Sequence, residues 1–177
     1  MNVLIRLATP EDAPLFPDIE RSAGLLFRQI AGLEWIAGDH VMTADQHLPA
    51  IRAQTTWVAC EGDAPVAFLS AERSADVLHI REISVHASAM GRGIGRGLIE
   101  AAVTAARALC LSALTLTTFR EVPWNAPYYQ RLGFETLAPG DLDQRLTAIL
   151  VDEVSAGLPG DWRCAMRRNL VLTPSSV

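Results

Sequence analysis

The run Met90-Gly91-Arg92-Gly93-Ile94-Gly95-Arg96-Gly97 constrains this chain more than any other segment. It sets four glycines at alternate positions between two patterned stretches. Leu78 and Ile80, then Ile83 and Val85, mark a strand before it. Ile94, Leu98, Ala102, Ala105 and Leu109 mark one face of a helix after it, with Arg96, Glu100, Thr104 and Arg107 on the other. Strand, loop and helix in that order imply an α/β architecture. Glycine at this density lets the backbone turn sharply and approach a ligand closely. The following helix N-terminus offers unpaired amides and partial positive charge, which suit a phosphate. The string GxxxxGK(S/T) is absent, and GxGxxG fails because Arg96 stands where the last glycine is needed.

Length and composition narrow the function classes. A chain of 177 residues fits one domain, here bounded as residues 1–172, with a short tail, 173–177, expected to fray. Half the residues are apolar, enough for a substantial core. A net charge of −5 argues against general nucleic-acid binding, which depends on neutralising phosphates. It leaves room for a local basic patch from Arg92, Arg96 and Arg120. Cys60, Cys110 and Cys164 show no metal spacing and read as buried, reduced thiols of a cytoplasmic protein. No apolar run reaches the roughly 20 residues needed to span a bilayer. Arg6 and Glu11 interrupt the short apolar run at the N-terminus, so it does not read as a signal peptide.

The remaining elements follow from periodicity and punctuation. Val3 to Leu7 alternates as a strand. Thr9-Pro10-Glu11-Asp12 reads as a helix start, with helical spacing through Phe16, Ile19 and Ala23. Residues 24–54 suggest one or two more helices around a loop at Gly38-Asp39. Thr55–Cys60 and Val66–Ala71 form a hairpin across Glu61–Pro65. Leu111–Phe119, Phe134–Leu137 and Trp162–Leu170 are further strands, and Asp143–Ser155 is a helix. In the strand from Val77 to His86 the alternation changes phase between Ile80 and Ile83. A slip of one residue turns every later side chain to the other face. A β-bulge near Arg81-Glu82 would absorb it and keep both apolar pairs inward.

The segment Asn125-Ala126-Pro127-Tyr128-Tyr129-Gln130-Arg131-Leu132-Gly133-Phe134 completes the pattern, with Asn125 to Leu132 read as a short helix closed by Gly133. Together with the glycine run, it resembles the GCN5-related N-acetyltransferase (GNAT) family. The run matches that family's pyrophosphate loop, Gln/Arg-x-x-Gly-x-Gly/Ala, through Gly93 and Gly95, with Met90 where Gln or Arg is usual. The second segment matches its Asn…Tyr-x-x-x-Gly-Phe element. The likeness covers residues 3 to 170. It implies a mixed, mostly antiparallel central sheet with flanking helices and one bulged strand that splays from its neighbour.

Acetyl transfer from a thioester to an amine needs a held cofactor, a polarised carbonyl, a base for the ammonium and an acid for the thiolate. The backbone of Gly91, Arg92, Gly93, Ile94, Gly95 and Arg96 is the candidate pyrophosphate cradle. Ile83, Ser84 and Val85 are candidates for the acyl-binding amides, and the resemblance gives Val85 the pantetheine pairing. Glu82, at the inferred bulge, is the candidate base. His86 or a water chain is the alternative, and His79 and Arg81 are open as substrate contacts. The resemblance places Tyr129 beside the coenzyme sulfur as the acid. Asn125 either contacts the pantetheine arm or caps its helix. The acceptor cleft is expected around Phe27, Glu34, Trp35, Asp39, His40, Met42 and Trp124.

The resemblance thus implies acetyl-CoA as cosubstrate, no metal, and direct transfer to a primary amine of a small molecule or peptide in a ternary complex. A homodimer is compatible with this, and neither nucleic acid nor membrane is an expected partner. Two other readings stay open: transfer of a longer acyl group, and a non-catalytic acyl-CoA-binding sensor.

Overall fold

The computed structural model describes residues 3–170, so the tail 173–177 lies outside the described residues. Seven strands are present among them: β1 (Val3–Leu7), β2 (Thr56–Glu61), β3 (Ala64–Ser74), β4 (Val77–Val85), β5 (Ala113–Phe119), β6 (Glu135–Thr136) and β7 (Arg163–Asn169). Their order is β1-β2-β3-β4-β5-β7-β6. β4 and β5 pair in parallel, while β1–β2, β2–β3, β5–β7 and β6–β7 are antiparallel. The helices are α1 (Phe16–Gly24), α2 (Ala44–Arg52), α3 (Ile94–Ala108), α4 (Ala126–Gln130) and α5 (Gln144–Ser155). The described chain divides into two compact units, residues 3–72 with 81–105, and residues 73–80 with 106–170.

In the first unit, β1, β2 and β3 form an antiparallel ribbon whose register shifts at Ala59/Cys60. Its core gathers Phe16, Ile19, Ile51, Val58, Cys60 and Phe68. Phe16 stacks on Phe68 at 4.2 Å, and the buried His47 ring meets both edge-on at 5.2 Å. The helix expected from Thr9-Pro10 begins later. Asp12 accepts the Thr9 amide at 2.8 Å and forms a two-point ion pair with Arg6, which holds residues 9–12 in a turn. Pro14 and Pro17 donate no backbone hydrogen bond, so a 3₁₀ turn at Ala13–Leu15 comes first and α1 starts with Pro17 in its opening turn. Residues 24–54 resolve into 3₁₀ turns at Leu25–Gln29 and Glu34–Gly38, then α2. Thr43 and Gln46 close a capping box at the start of α2.

In the second unit, Val77–Ile80 of β4 pairs with Ala113–Leu116 of β5, and β7 runs antiparallel along all of β5. α5 begins at an Asp143 N-cap, whose carboxylate accepts the Leu146 amide at 2.7 Å. Glu153 of α5 accepts from the Thr117 hydroxyl of β5 and the Arg163 guanidinium of β7, a polar clamp across three elements. Of the three cysteines, Cys60 and Cys164 are buried, as expected. Cys110 is exposed: it follows α3 in a left-handed conformation (φ 54°) and turns the chain toward β5.

Candidate active site

The glycine run forms a loop that ends in α3. Gly91 and Gly93 have φ of 73° and 77°, the left-handed region that costs other L-residues about 1–2 kcal/mol. No atom lies within 4 Å of where a Cβ would sit on either glycine. Backbone conformation, not packing, demands glycine there, and the space beside the backbone is open. The Gly97 amide donates to the Gly93 carbonyl at 3.0 Å and starts the helical ladder. Helix geometry then leaves the Ile94, Gly95 and Arg96 amides without intrahelical acceptors. Open backbone, successive free amides and a 15-residue helix behind them fit a pyrophosphate. Gly97 does a different job. A Cβ on it would meet Ile5 Cδ1 of β1 at 2.7 Å, so it permits close helix–strand approach. Arg92 is ion-paired with Glu61 at the end of β2, whereas Arg96 is exposed.

β4 changes character where its alternation breaks. Val77 to Ile80 are all buried, Arg81 is exposed, and Glu82 is half-buried. Beyond it, Ser84 is the buried residue, while Ile83 and Val85 are only half-buried, contrary to the expectation that both apolar side chains point inward. The reason is chemical: the Ser84 hydroxyl donates to Glu82 Oε1 at 2.7 Å, which satisfies a polar group that would otherwise be costly to bury. The same bond fixes the Glu82 carboxylate. His86 is occupied differently. Its Nδ1 accepts the Ser88 amide at 3.3 Å and caps the turn Ala87–Ala89.

A residue that sequence reasoning passed over joins this strand. Glu20 of α1 has one carboxylate oxygen, Oε2, fully buried and without a hydrogen-bond partner. Burial, then the nearby Glu82 charge, push its carboxyl up to about 8, against the opposing pull of the Met42 amide and Arg21. α1 is tied to the end of β4, since the Ala87 amide donates to the Ser22 hydroxyl at 3.0 Å. The missed signal was spacing: Glu20 lies four residues after buried Phe16, on the apolar stripe of its helix.

The first unit therefore brings together Glu82, Ile83, Ser84, Val85 and Gly91 to Arg96. Asn125 and Tyr129 belong to the second. Tyr129 is buried in α4, with its ring 5.5 Å from Tyr128 and 5.8 Å from Phe134, both edge-on. Tyr128 is half-buried, and the Arg131 guanidinium sits 5.8 Å from its ring. α4 is shorter than the expected 125–132. Its carbonyls are closed by Leu132 and Phe134 amides donating to Tyr129, with Gly133 at φ 83° making the turn. Asn125 does not cap α4 through its side chain. Its Oδ1 is buried and unpaired. Among the described residues, no cluster of three or more His, Cys, Asp or Glu is gathered as for a metal ion, and no helix is long and apolar enough to cross a membrane.

Residues 52–136, which contain β4, the glycine loop and α4, match the family model of the acetyltransferase (GNAT) domain. Solved structures of similar fold include the PaiA N-acetyltransferase of Thermoplasma acidophilum in complex with coenzyme A. That likeness has a TM-score of 0.71 at 16% identity and covers 96% of this chain and all of the other. The N-acetylglutamate synthase of Neisseria gonorrhoeae, complexed with coenzyme A and N-acetylglutamate, matches with a TM-score of 0.69 at 19% identity, over 97% of this chain and 36% of that one. The ribosomal-protein-S18-alanine N-acetyltransferase of Escherichia coli matches with a TM-score of 0.64 at 15% identity, over 99% of each chain. The matched segment, residues 52–136, is thus similar to the GNAT acetyltransferase domain, and the strand order built around it gives the chain the fold of these acetyltransferase structures.

Proposed function

We propose that this protein is an acetyl-CoA-dependent N-acetyltransferase of the cytoplasm, acting on a primary amine by direct transfer in a ternary complex, with residues 1–172 as one catalytic domain. The observation that carries the reading is the loop Gly91–Arg96: left-handed glycines, open space beside them, and helix-start amides that no carbonyl of the helix satisfies. Acetyl-CoA, bound there, would supply the activated acyl group as a thioester, with the coenzyme A thiolate as leaving group. The amides of Gly91 to Arg96 hold its pyrophosphate, and Arg96 adds charge. The amides of Ile83, Ser84 and Val85 bind the pantetheine and acyl end. Asn125, with its orphaned side-chain oxygen, accepts a hydrogen bond from the pantetheine arm. Glu82, oriented by Ser84, takes a proton from the acceptor ammonium, and Tyr129 protonates the departing thiolate. A phenol, with an ordinary pKa near 10, is close enough to a thiol for easy transfer. Glu82 is preferred to His86 for this role, because the His86 Nδ1 is spent on a turn.

The structures of similar fold include one complexed with N-acetylglutamate and one that is a ribosomal-protein acetyltransferase, so both small-molecule and protein amines are reasonable acceptors. The test is thiol release from acetyl-CoA across a panel of amines and peptide N-termini, alongside coenzyme A binding by calorimetry. Amine-dependent release supports the proposal. Tight binding without turnover on any amine would instead favour an acyl-CoA sensor.

A further inference from the structure

We propose that Glu20 and Glu82 act as one proton-accepting carboxyl pair, so that the base of this enzyme is shared between α1 and β4. The inference rests on the acetyltransferase reading of the same site. Three geometric facts support it. Glu20 Oε2 is buried with no hydrogen-bond donor, an arrangement that is costly for a carboxylate and cheap for a carboxylic acid. Glu82 is held in place by the 2.7 Å bond from Ser84, so the second carboxyl is positioned. The Ala87–Ser22 bond anchors α1 to the turn that follows β4, which keeps the two glutamates on a common frame. The electrostatics agree: the Glu82 charge is among the causes that raise Glu20. Arg21 is the cation that opposes it. The other titratable and charged groups on segments around α1 are Asp12, ion-paired with Arg6, before the first 3₁₀ turn, Arg28 and Glu34 on the next two, Asp39 and His40 before Met42, and His86, whose Nδ1 is turned to Ser88.

Two interacting carboxyls lose their protons in two steps that belong to the pair. The singly protonated pair is a weak base. The fully ionised pair is a base matched to an alkylammonium, and the cation that it deprotonates also offsets its charge. The proton balance is simple. An ammonium acceptor and a thioester give an amide, a thiol and one proton. One N–H bond of the ammonium breaks, its electron pair stays on nitrogen for attack on the acyl carbon, and the carboxyl pair takes that proton and returns it to solvent. As the C–N bond forms, the C–S bond breaks and its electrons leave on sulfur; the second proton that nitrogen loses balances the one the thiolate gains. An acceptor whose nitrogen is already neutral skips the first deprotonation, the step assigned to the pair.

The test combines carboxyl titration of the coenzyme-bound protein by ¹³C NMR, with labelled glutamate, and the pH dependence of kcat/KM. One glutamate should titrate at about 8. It should shift downward in Glu82→Gln and vanish in Glu20→Gln. With an alkylammonium acceptor, Glu20→Gln should lower kcat/KM on the order of 10²-fold at alkaline pH and remove the upper titration from the profile. With a neutral-nitrogen acceptor the loss should be under threefold. Every glutamate titrating in the ordinary carboxylate range would overturn the pair, even in a fully active enzyme. So would a Glu20→Gln enzyme with the wild-type profile. If no amine is acetylated at all, the acetyltransferase reading fails instead, and the titration reports on the carboxyls separately.

Discussion

Adjacent residues in α4 show how narrowly a role can be assigned. Tyr129 is buried against Phe134, whereas Tyr128 is half-buried under Arg131. Tyr129→Phe keeps the ring and deletes the hydroxyl, so it should lower turnover on the order of 10- to 1000-fold with little change in melting temperature. Tyr128→Phe should leave the rate within twofold. Steady-state rates of both variants with one confirmed amine decide the matter. Damage from the Tyr128 change alone would move the acid by one position. Tyr129 stands out in the sequence through the family resemblance, as the tyrosine of the Tyr-x-x-x-Gly-Phe element, and its role as the acid is a proposal. Glu20 does not, because a lone glutamate on an apolar stripe gains meaning only once folding buries its carboxyl without a partner.

At the scale of elements, the four glycines of the loop separate into different jobs that their even spacing conceals. Gly93 faces open space, so Gly93→Glu should fold, at a cost of about 1–2 kcal/mol for its left-handed backbone. It should lose measurable coenzyme A binding by calorimetry, because a carboxylate would then repel the phosphate that the proposed site holds there. A folded variant with unchanged affinity would remove the loop from the site. Gly97→Val should do the reverse: about 1–3 kcal/mol of overpacking against Ile5 in a denaturant melt, with much smaller loss of affinity. Helix starts divide in the same way. The Thr43–Gln46 box defines α2 from neighbouring residues alone. The start of α1 was displaced because Asp12 found Arg6 on β1, six residues away, rather than the helix end.

For the whole molecule, buried ionisable groups set opposing pH dependences. His47 is completely buried with neither ring nitrogen bonded, and burial lowers its pKa. The unfolded chain, near 6.5, therefore binds a proton that the folded chain refuses, and stability falls as pH drops below that value. Asp12 acts at still lower pH. Burial would raise it, but the Arg6 and Thr9 contacts prevail and hold it below the usual range, so its contribution disappears on acidification through the depressed pKa. Glu20 has the opposite sign. Its folded pKa is raised to about 8, so its contribution is complete below an unfolded value near 4.5 and is lost as pH rises to about 8. His47→Leu should flatten the melting temperature between pH 5 and 6.5. Glu20→Gln should flatten it between pH 5 and 8 and melt higher than wild type at pH 8.5. Scanning calorimetry across that range checks both, and parallel curves for Glu20→Gln and wild type would contradict the raised carboxyl.

The sequence by itself determined the features that depend on near neighbours. Alternation placed β1, β2, β5 and β7 to within a few residues, the glycine run marked the loop before α3, and the Tyr129–Gly133 spacing marked α4. These are local consequences of backbone sterics, side-chain periodicity and capping. Tertiary structure alone decided what depends on partners distant in the chain. It buried Ser84 in place of Ile83 and Val85, assigned Gly97 to packing against Ile5, left the Asn125 oxygen unpaired, and buried one oxygen of Glu20 without a partner. Burial and electrostatic coupling arise only from neighbours in space, and sequence periodicity does not say which segments those will be.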